Sequence, residues 1–273
     1  MQKSKMLAVI GMSRSGTSFL SGWLHRSGIP MGSRFLEADD IMNTRGFYED
    51  MDFLDIHLAI SARNKDRVER MYEDGAPGFS FTKEDVQRAQ SVLLRRTDAQ
   101  WGWKVTAKPH DMWSLFWKPL LDTSGLKYTV VASFRHYESC IRSCMRVRYL
   151  KRQAKGGLSF RRLKWFPDKY ANRHLKEWII ANREILRQAS STDNVLVTDS
   201  RGLLENGAKI AGILREKYGF ELRDVDPKSL YEKELMDRPV DLPYTLDPVL
   251  KAEAQHLYEQ LTQLKEAYVC YES

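Results

Sequence analysis

The apolar positions of the chain fall into two alternating spacings. Residues 6–10 form a continuous apolar run with β-branched members, the pattern of a strand covered on both faces of a parallel sheet. Residues 128–134 repeat that pattern, and 101–106 and 194–198 are two further strand candidates. Between these runs the spacing becomes helical. Phe19, Leu20, Trp23 and Leu24 make an apolar stripe after the first strand, and Gly28 is placed to end that helix. Further helices are expected from about residue 51 to 62, and after Thr82 with Val86, Ala89 and Leu93 on one face. Another follows Arg135, with Cys140, Ile141, Cys144 and Met145 as its apolar side. Residues 170–189 repeat the helical spacing, interrupted by Asn182, and 205–218 form a helix closed by Gly219. Asp247-Pro248 reads as a cap and first turn, opening a last helix whose Leu250, Leu257, Leu261 and Leu264 should pack on the sheet. The stretches 64–80 and 151–168 read as loops. Strands alternating with helices predict an α/β fold, a central parallel β-sheet flanked by helices, in a single domain over residues 1–273.

Charge adds one feature to this outline. The net charge is +7 and the pI about 9.2, and the basic residues concentrate in residues 142–173. That run reads as a solvated face, a lid, or an acceptor-facing segment that steers anions. No nucleic-acid-binding module accompanies it. The apolar runs are too short to span a bilayer. The three cysteines form no CxxC pair and no cluster with histidine, so they read as free thiols, with no metal site, in a reducing cytoplasm. A glycine loop beginning at residue 11 leaves little room for a signal peptide.

That loop, Gly11-Met12-Ser13-Arg14-Ser15-Gly16-Thr17-Ser18, joins the first strand to the first helix. The geometry aims backbone N–H groups and a helix N-terminus at one point, which suits a phosphate. In a loop for ATP or GTP a lysine follows the second glycine. Here Thr17 stands there, and Arg14 is the one cation of the loop. The strand 128–134 is followed by Arg135, where a magnesium-binding strand would end in an acid. A small-molecule kinase is thereby disfavoured, and a non-catalytic nucleotide-binding protein of the same fold stays an alternative.

Arg14, Ser15, Gly16, Thr17 and Ser18 resemble the 5′-phosphosulfate loop of sulfotransferases that use 3′-phosphoadenosine 5′-phosphosulfate (PAPS). A basic residue followed by Ser-Gly-Thr-[ST] marks that loop in the family. Arg135 and Ser143, eight residues apart, resemble its 3′-phosphate pair, although Tyr137 replaces the usual proline between them. Asn43 followed by Gly46-Phe47-Tyr48-Glu49 resembles a stretch of bacterial members. The resemblance implies a P-loop-like sulfotransferase fold with PAPS as co-substrate and the nucleotide product 3′-phosphoadenosine 5′-phosphate (PAP). It implies sulfuryl transfer to a hydroxyl or amine of a carbohydrate, lipid or small metabolite. Lys104 matches a strand-end lysine beside the sulfuryl group; Thr106 occupies the position where animal cytosolic members carry their catalytic histidine. Phe19 stands where the family often has an aromatic near the adenine, and core packing of the helix explains it equally. Glu49 is the first candidate for the general base, with Glu37 and His110 as rivals. The alternative is that Glu49 and Asp50 only cap the helix that follows.

Overall fold

The computed structural model describes residues 4–39, 46–66, 80–105, 112–231 and 242–270. Four strands, β1 (Lys5–Ile10), β2 (Gln100–Lys104), β3 (Tyr128–Phe134) and β4 (Val195–Asp199), form one parallel sheet in the order β2-β1-β3-β4. From β1 the chain first adds β2 on one side and then crosses to build β3 and β4 on the other. The register places Val9 beside both Lys104 and Val131, so β1 and β2 end within one residue of each other and β3 runs two residues further. Winding reverses between β1 and β3, and in open α/β sheets the crevice outside such strand ends is where ligands bind.

Alternation along the strands divides the core into two layers. Met6, Ala8 and Ile10 of β1 face Phe53 of α2 (Met51–Arg63) and Trp113 and Trp117 of a π-helical turn (Met112–Trp117). Leu7 and Val9 face Leu20, Trp23 and Leu24 of α1 (Thr17–Arg26). In the first layer Phe53 stacks on Trp103 with ring centroids 5.0 Å apart and planes 16° off parallel. Beside that stack His57 is completely buried, and Trp117 Nε1 donates to its Nε2 at 2.7 Å. Fully burying a large apolar side chain stabilises a fold by about 1.5–3 kcal/mol, so this aromatic layer anchors the β2 side of the sheet. On the outer side, α3 (Lys83–Leu94) opens with a capping box between Thr82 and Asp85. The short helix α4 (Lys118–Ser124) leads into β3.

A third cluster lies off the sheet, among α5 (Tyr137–Lys155), α6 (Gly157–Trp165), α7 (Pro167–Ser191) and the start of a long last helix. Met12 of the loop after β1 belongs to this cluster, so the loop rests on helices that follow β3. Before the last helix, α8 (Ser200–Glu216) follows β4 and covers the Leu7 face. The last helix, α9 (Pro248–Cys270), opens on Asp247, whose Oδ1 accepts from the Val249 and Leu250 amides.

Three expectations need correction. Residues 151–168 are not a loop: α5 continues to Lys155 and α6 follows at once. Gly156 (φ 64°) and Gly157 (φ 69°) bend the chain between two helices, and Leu163, fully buried, ties α6 back onto the cluster. The helix expected at 205–218 is present as the longer part of α8, joined at a kink at Asn206 (φ −127°, ψ 25°) to a first turn from Ser200, whereas the one expected at 170–189 spans Pro167–Ser191. Of the α9 leucines, Leu261 and Leu264 pack on the sheet layer, whereas Leu250 and Leu257 pack on the cluster of α5 and α7. Asn182 is a buried group whose Nδ2 donates to the Trp178 carbonyl at 2.8 Å. The stretch expected to be a loop at 64–80 falls mostly outside the described residues; at its ends the Asn64 side chain bridges to Ser80.

Candidate active site

The loop after β1 is fixed from beneath. Ser15 Oγ donates to the Met12 carbonyl at 2.7 Å, and Ser133 Oγ, at the end of β3, donates to the Ser15 carbonyl at 2.9 Å. Cys140 Sγ of α5 lies 3.3 Å from the Ser13 carbonyl oxygen. Within this frame Arg14 has φ 72°, a left-handed conformation that costs a side-chain-bearing residue about 1–2 kcal/mol. Gly16 (φ 96°) needs glycine twice over, because a Cβ there would also strike Ser200 Oγ.

Gly16 is the N-cap of α1, yet no side chain caps this helix and its first turn holds no acid. The first N–H groups of a helix have no partner within it, and the aligned peptide dipoles add partial positive charge there. Three cations stand around that terminus. Arg14 Nε donates to Ser143 Oγ at 2.9 Å, which leaves the Ser143 O–H proton available to an incoming oxygen. Burial holds the Arg14 pKa below the usual arginine value, the nearby thiols of Cys144 and Cys140 oppose that, and the charge of Arg135 adds to it. Arg135 directly follows β3, and its carbonyl accepts from Trp178 Nε1 at 2.9 Å. Arg14, Arg135 and Ser143, distant in the sequence, are thus one neighbourhood.

Lys104, the third cation, ends β2 and is only 5% exposed. Its Nζ reaches Phe47 O at 2.7 Å, Glu49 Oε1 at 2.8 Å and Ser18 Oγ at 3.1 Å. Burial lowers the Lys104 pKa, the Glu49 carboxylate opposes that shift, and Arg14 reinforces it. The two acids at 49 and 50 divide their work. Asp50 caps α2, accepting from the Asp52 amide at 2.9 Å, and it pairs with Arg96 at 2.6 Å. Glu49 turns the other way, to Lys104. The left-handed Tyr48 (φ 51°) and the bridge between Phe35 and Asp50 set that turn.

The remaining sequence candidates are placed less closely. Glu37 is exposed. Phe19 is partly buried against the Leu7 layer and meets Tyr231 edge-on, ring centroids 5.7 Å apart. Thr17 is buried at the first position of α1. Asn43, Thr106 and His110 lie outside the described residues. Sequence reasoning missed Ser133 and the two thiols beneath the loop. Ser133 carries a readable signal, since it is a polar residue near the end of a strand that is otherwise almost entirely apolar.

No protein-family model matches the chain, and no curated protein matches it. Two solved structures similar to it are sulfotransferase domains. One is the sulfotransferase domain of the Synechococcus PCC 7002 olefin synthase, at 17% identity over 100% of this chain and 96% of that one, with a TM-score of 0.46. The other is the sulfotransferase STF1 of Mycobacterium tuberculosis H37Rv, at 12% identity over 96% of this chain and 77% of that one, with a TM-score of 0.45. Scores at this level carry no argument of their own; the fold is read from the sheet described above, and the chemistry from its site.

Proposed function

We propose that the chain is a PAPS-dependent sulfotransferase acting on a hydroxyl or amine of a carbohydrate, lipid or small metabolite. The observation that carries this reading is the uncapped, acid-free start of α1 set between Arg14 and Lys104, with a carboxylate, Glu49, held on Lys104. These residues fit an anionic nucleotide: unpaired helix N–H groups, a serine hydroxyl with its proton to give, and guanidinium and ammonium donors. When bound, PAPS supplies the sulfuryl group.

In this reading Gly16, Thr17 and Ser18 hold the 5′ end through backbone N–H groups and the hydroxyls of Thr17 and Ser18, Ser15 holds the loop in shape because its amide and hydroxyl both donate to the Met12 carbonyl, and Arg14 adds its charge. Arg135 and Ser143 hold the 3′-phosphate. Phe19 and its neighbour Tyr231 offer an aromatic edge for the base. Glu49 Oε1 takes the proton of the acceptor hydroxyl, and in doing so gives up its hold on Lys104. Lys104 Nζ then has donors to turn towards the bridging oxygen where charge develops, beside Ser18 Oγ which it already touches. The same site read as a kinase lacks the loop lysine, and Asp199, the acid ending β4, already serves as the cap of α8 and the partner of Lys265.

The test compares melting shifts. PAP should raise the melting temperature clearly, since ligand at a hundred times its dissociation constant stabilises by about 2.7 kcal/mol, and magnesium-ATP should do much less. Equal shifts would sink the assignment. Labelled PAPS offered with carbohydrates, lipids and phenols then separates a transferase from a protein that only binds the nucleotide.

A further inference from the structure

The outer face of α6 is built for something the candidate site does not use. Leu158, Arg161, Arg162 and Trp165 recur at i, i+3, i+4 and i+7, so they share one face of the helix, and Phe166 follows directly. The three large apolar side chains stand out in water: Leu158 is 57% exposed, Trp165 61% and Phe166 57%. The inner face is anchored. Leu163 is completely buried, and Phe160 meets Tyr149 edge-on with ring centroids 5.2 Å apart. The helix therefore cannot roll to hide its tryptophan without giving up that packing.

The charge around this face has a single sign. Between Glu138 and Asp168 the chain carries nine lysines and arginines and no acid. Lys151, Lys155, Arg161, Arg162 and Lys164 are all exposed. The face also lies at the working end of the sheet. Trp178 touches the Arg135 carbonyl just beyond β3, so residues 167–177 of α7 run past that end by about 15 Å at 1.5 Å per residue, and α6 is joined to them.

We propose that the outer face of α6 docks on the surface of an anionic lipid bilayer. Trp165, Phe166 and Leu158 enter the headgroup region, where amphipathic aromatic rings and short apolar stripes are at home. Arg161, Arg162 and the surrounding lysines meet the lipid phosphates, each such cation adding to the attraction within a Debye length. A soluble polyanion would engage the cations and leave the apolar side chains without partners; a bilayer engages both. Among the described residues no helix is long and apolar enough to cross a membrane, so the contact is peripheral. It does not depend on the sulfotransferase reading.

Flotation of the full chain, without nucleotide, on phosphatidylcholine vesicles with and without phosphatidylserine tests this. The protein should float with the phosphatidylserine vesicles and lose about tenfold in partitioning as salt is raised. The triple variant Leu158→Ser, Trp165→Ser, Phe166→Ser and the pair Arg161→Gln, Arg162→Gln should each lose on the order of tenfold, with unchanged melting temperatures because all five side chains are exposed. The other six tryptophans are buried, so quenching of wild-type fluorescence by brominated lipid reports Trp165 directly. No flotation at low salt overturns the proposal, as does flotation that survives both sets of substitutions. Binding to immobilised heparin without flotation would assign the cations to a soluble polyanion and overturn it too.

Discussion

Two helices of this fold start at the same edge of the sheet and treat their N-termini in opposite ways. At α8 the chain supplies its own anion: the Asp199 carboxylate accepts from the Gly202 amide and pairs with Lys265 at 3.2 Å. At α1 the position is held by Gly16, no side chain caps the helix, and the nearby charges are Arg14 and a Lys104 that is paired with Glu49. The two starts touch, Ser200 Oγ lying against Gly16. Physical chemistry alone favours the α8 arrangement, since an acid near a helix N-terminus contributes about 0.3–1 kcal/mol. In the proposed reading, the uncapped start of α1 is where the 5′ end of the nucleotide binds.

The contrast predicts that substitutions around α1 change function with little change in stability, and those at α8 do the reverse. The largest effect is expected at Glu49. Glu49→Gln keeps an oxygen for Lys104 but cannot take a proton, so acceptor-dependent turnover should fall about 10²–10⁴-fold with PAP affinity nearly intact. Its melting temperature should drop by only about 2–4 °C. An active variant moves the base to Glu37 or His110. Next, Ser18→Asp places in the first turn of α1 the carboxylate that α8 has. PAP should weaken by about a hundredfold, measured by calorimetry, while the melting temperature holds or rises. Binding that survives the new acid would break the comparison. Arg135→Ala should weaken PAP tenfold or more and adenosine 5′-phosphosulfate much less, because only PAP carries the 3′-phosphate. Parallel losses would make Arg135 a structural residue. The smallest effect belongs to the completed terminus: Asp199→Ala should cost about 1 kcal/mol in denaturant titration and leave PAP binding unchanged.

Much of this layout is legible in the sequence because it is local. The apolar runs of β1 and β3, the glycine loop and the Asp247-Pro248 helix start are all short-range signals. The loop and Arg135 follow neighbouring strands, so their convergence follows from the fold class alone. What escaped depends on chain segments that meet only in space. The Arg14–Ser143 bond joins residues 129 positions apart, and no spacing rule reports that two groups read as binding opposite ends of a nucleotide touch each other. Glu49 and Asp50 are adjacent acids with one sequence signature between them; the left-handed Tyr48 sends them to different partners. The segment 151–168 looked like a loop because its cations and its two glycines argue against a helix, and only packing of Leu163 on the third cluster decides otherwise.

The bond from Trp117 to His57 sets an acid limit on the whole molecule. Nε2 of His57 can accept only while it is unprotonated, and burial pushes the pKa of this side chain down to about 3 from its ordinary 6.5. An unfolded chain takes up that proton as pH falls through 6.5, whereas the folded chain does not until near 3. Between those values each unit of acidification therefore withdraws stability, by roughly 1.4 kcal/mol. Above pH 6.5 this residue contributes no slope. A denaturation series in pH should show the decline beginning near 6, and His57→Phe should flatten it.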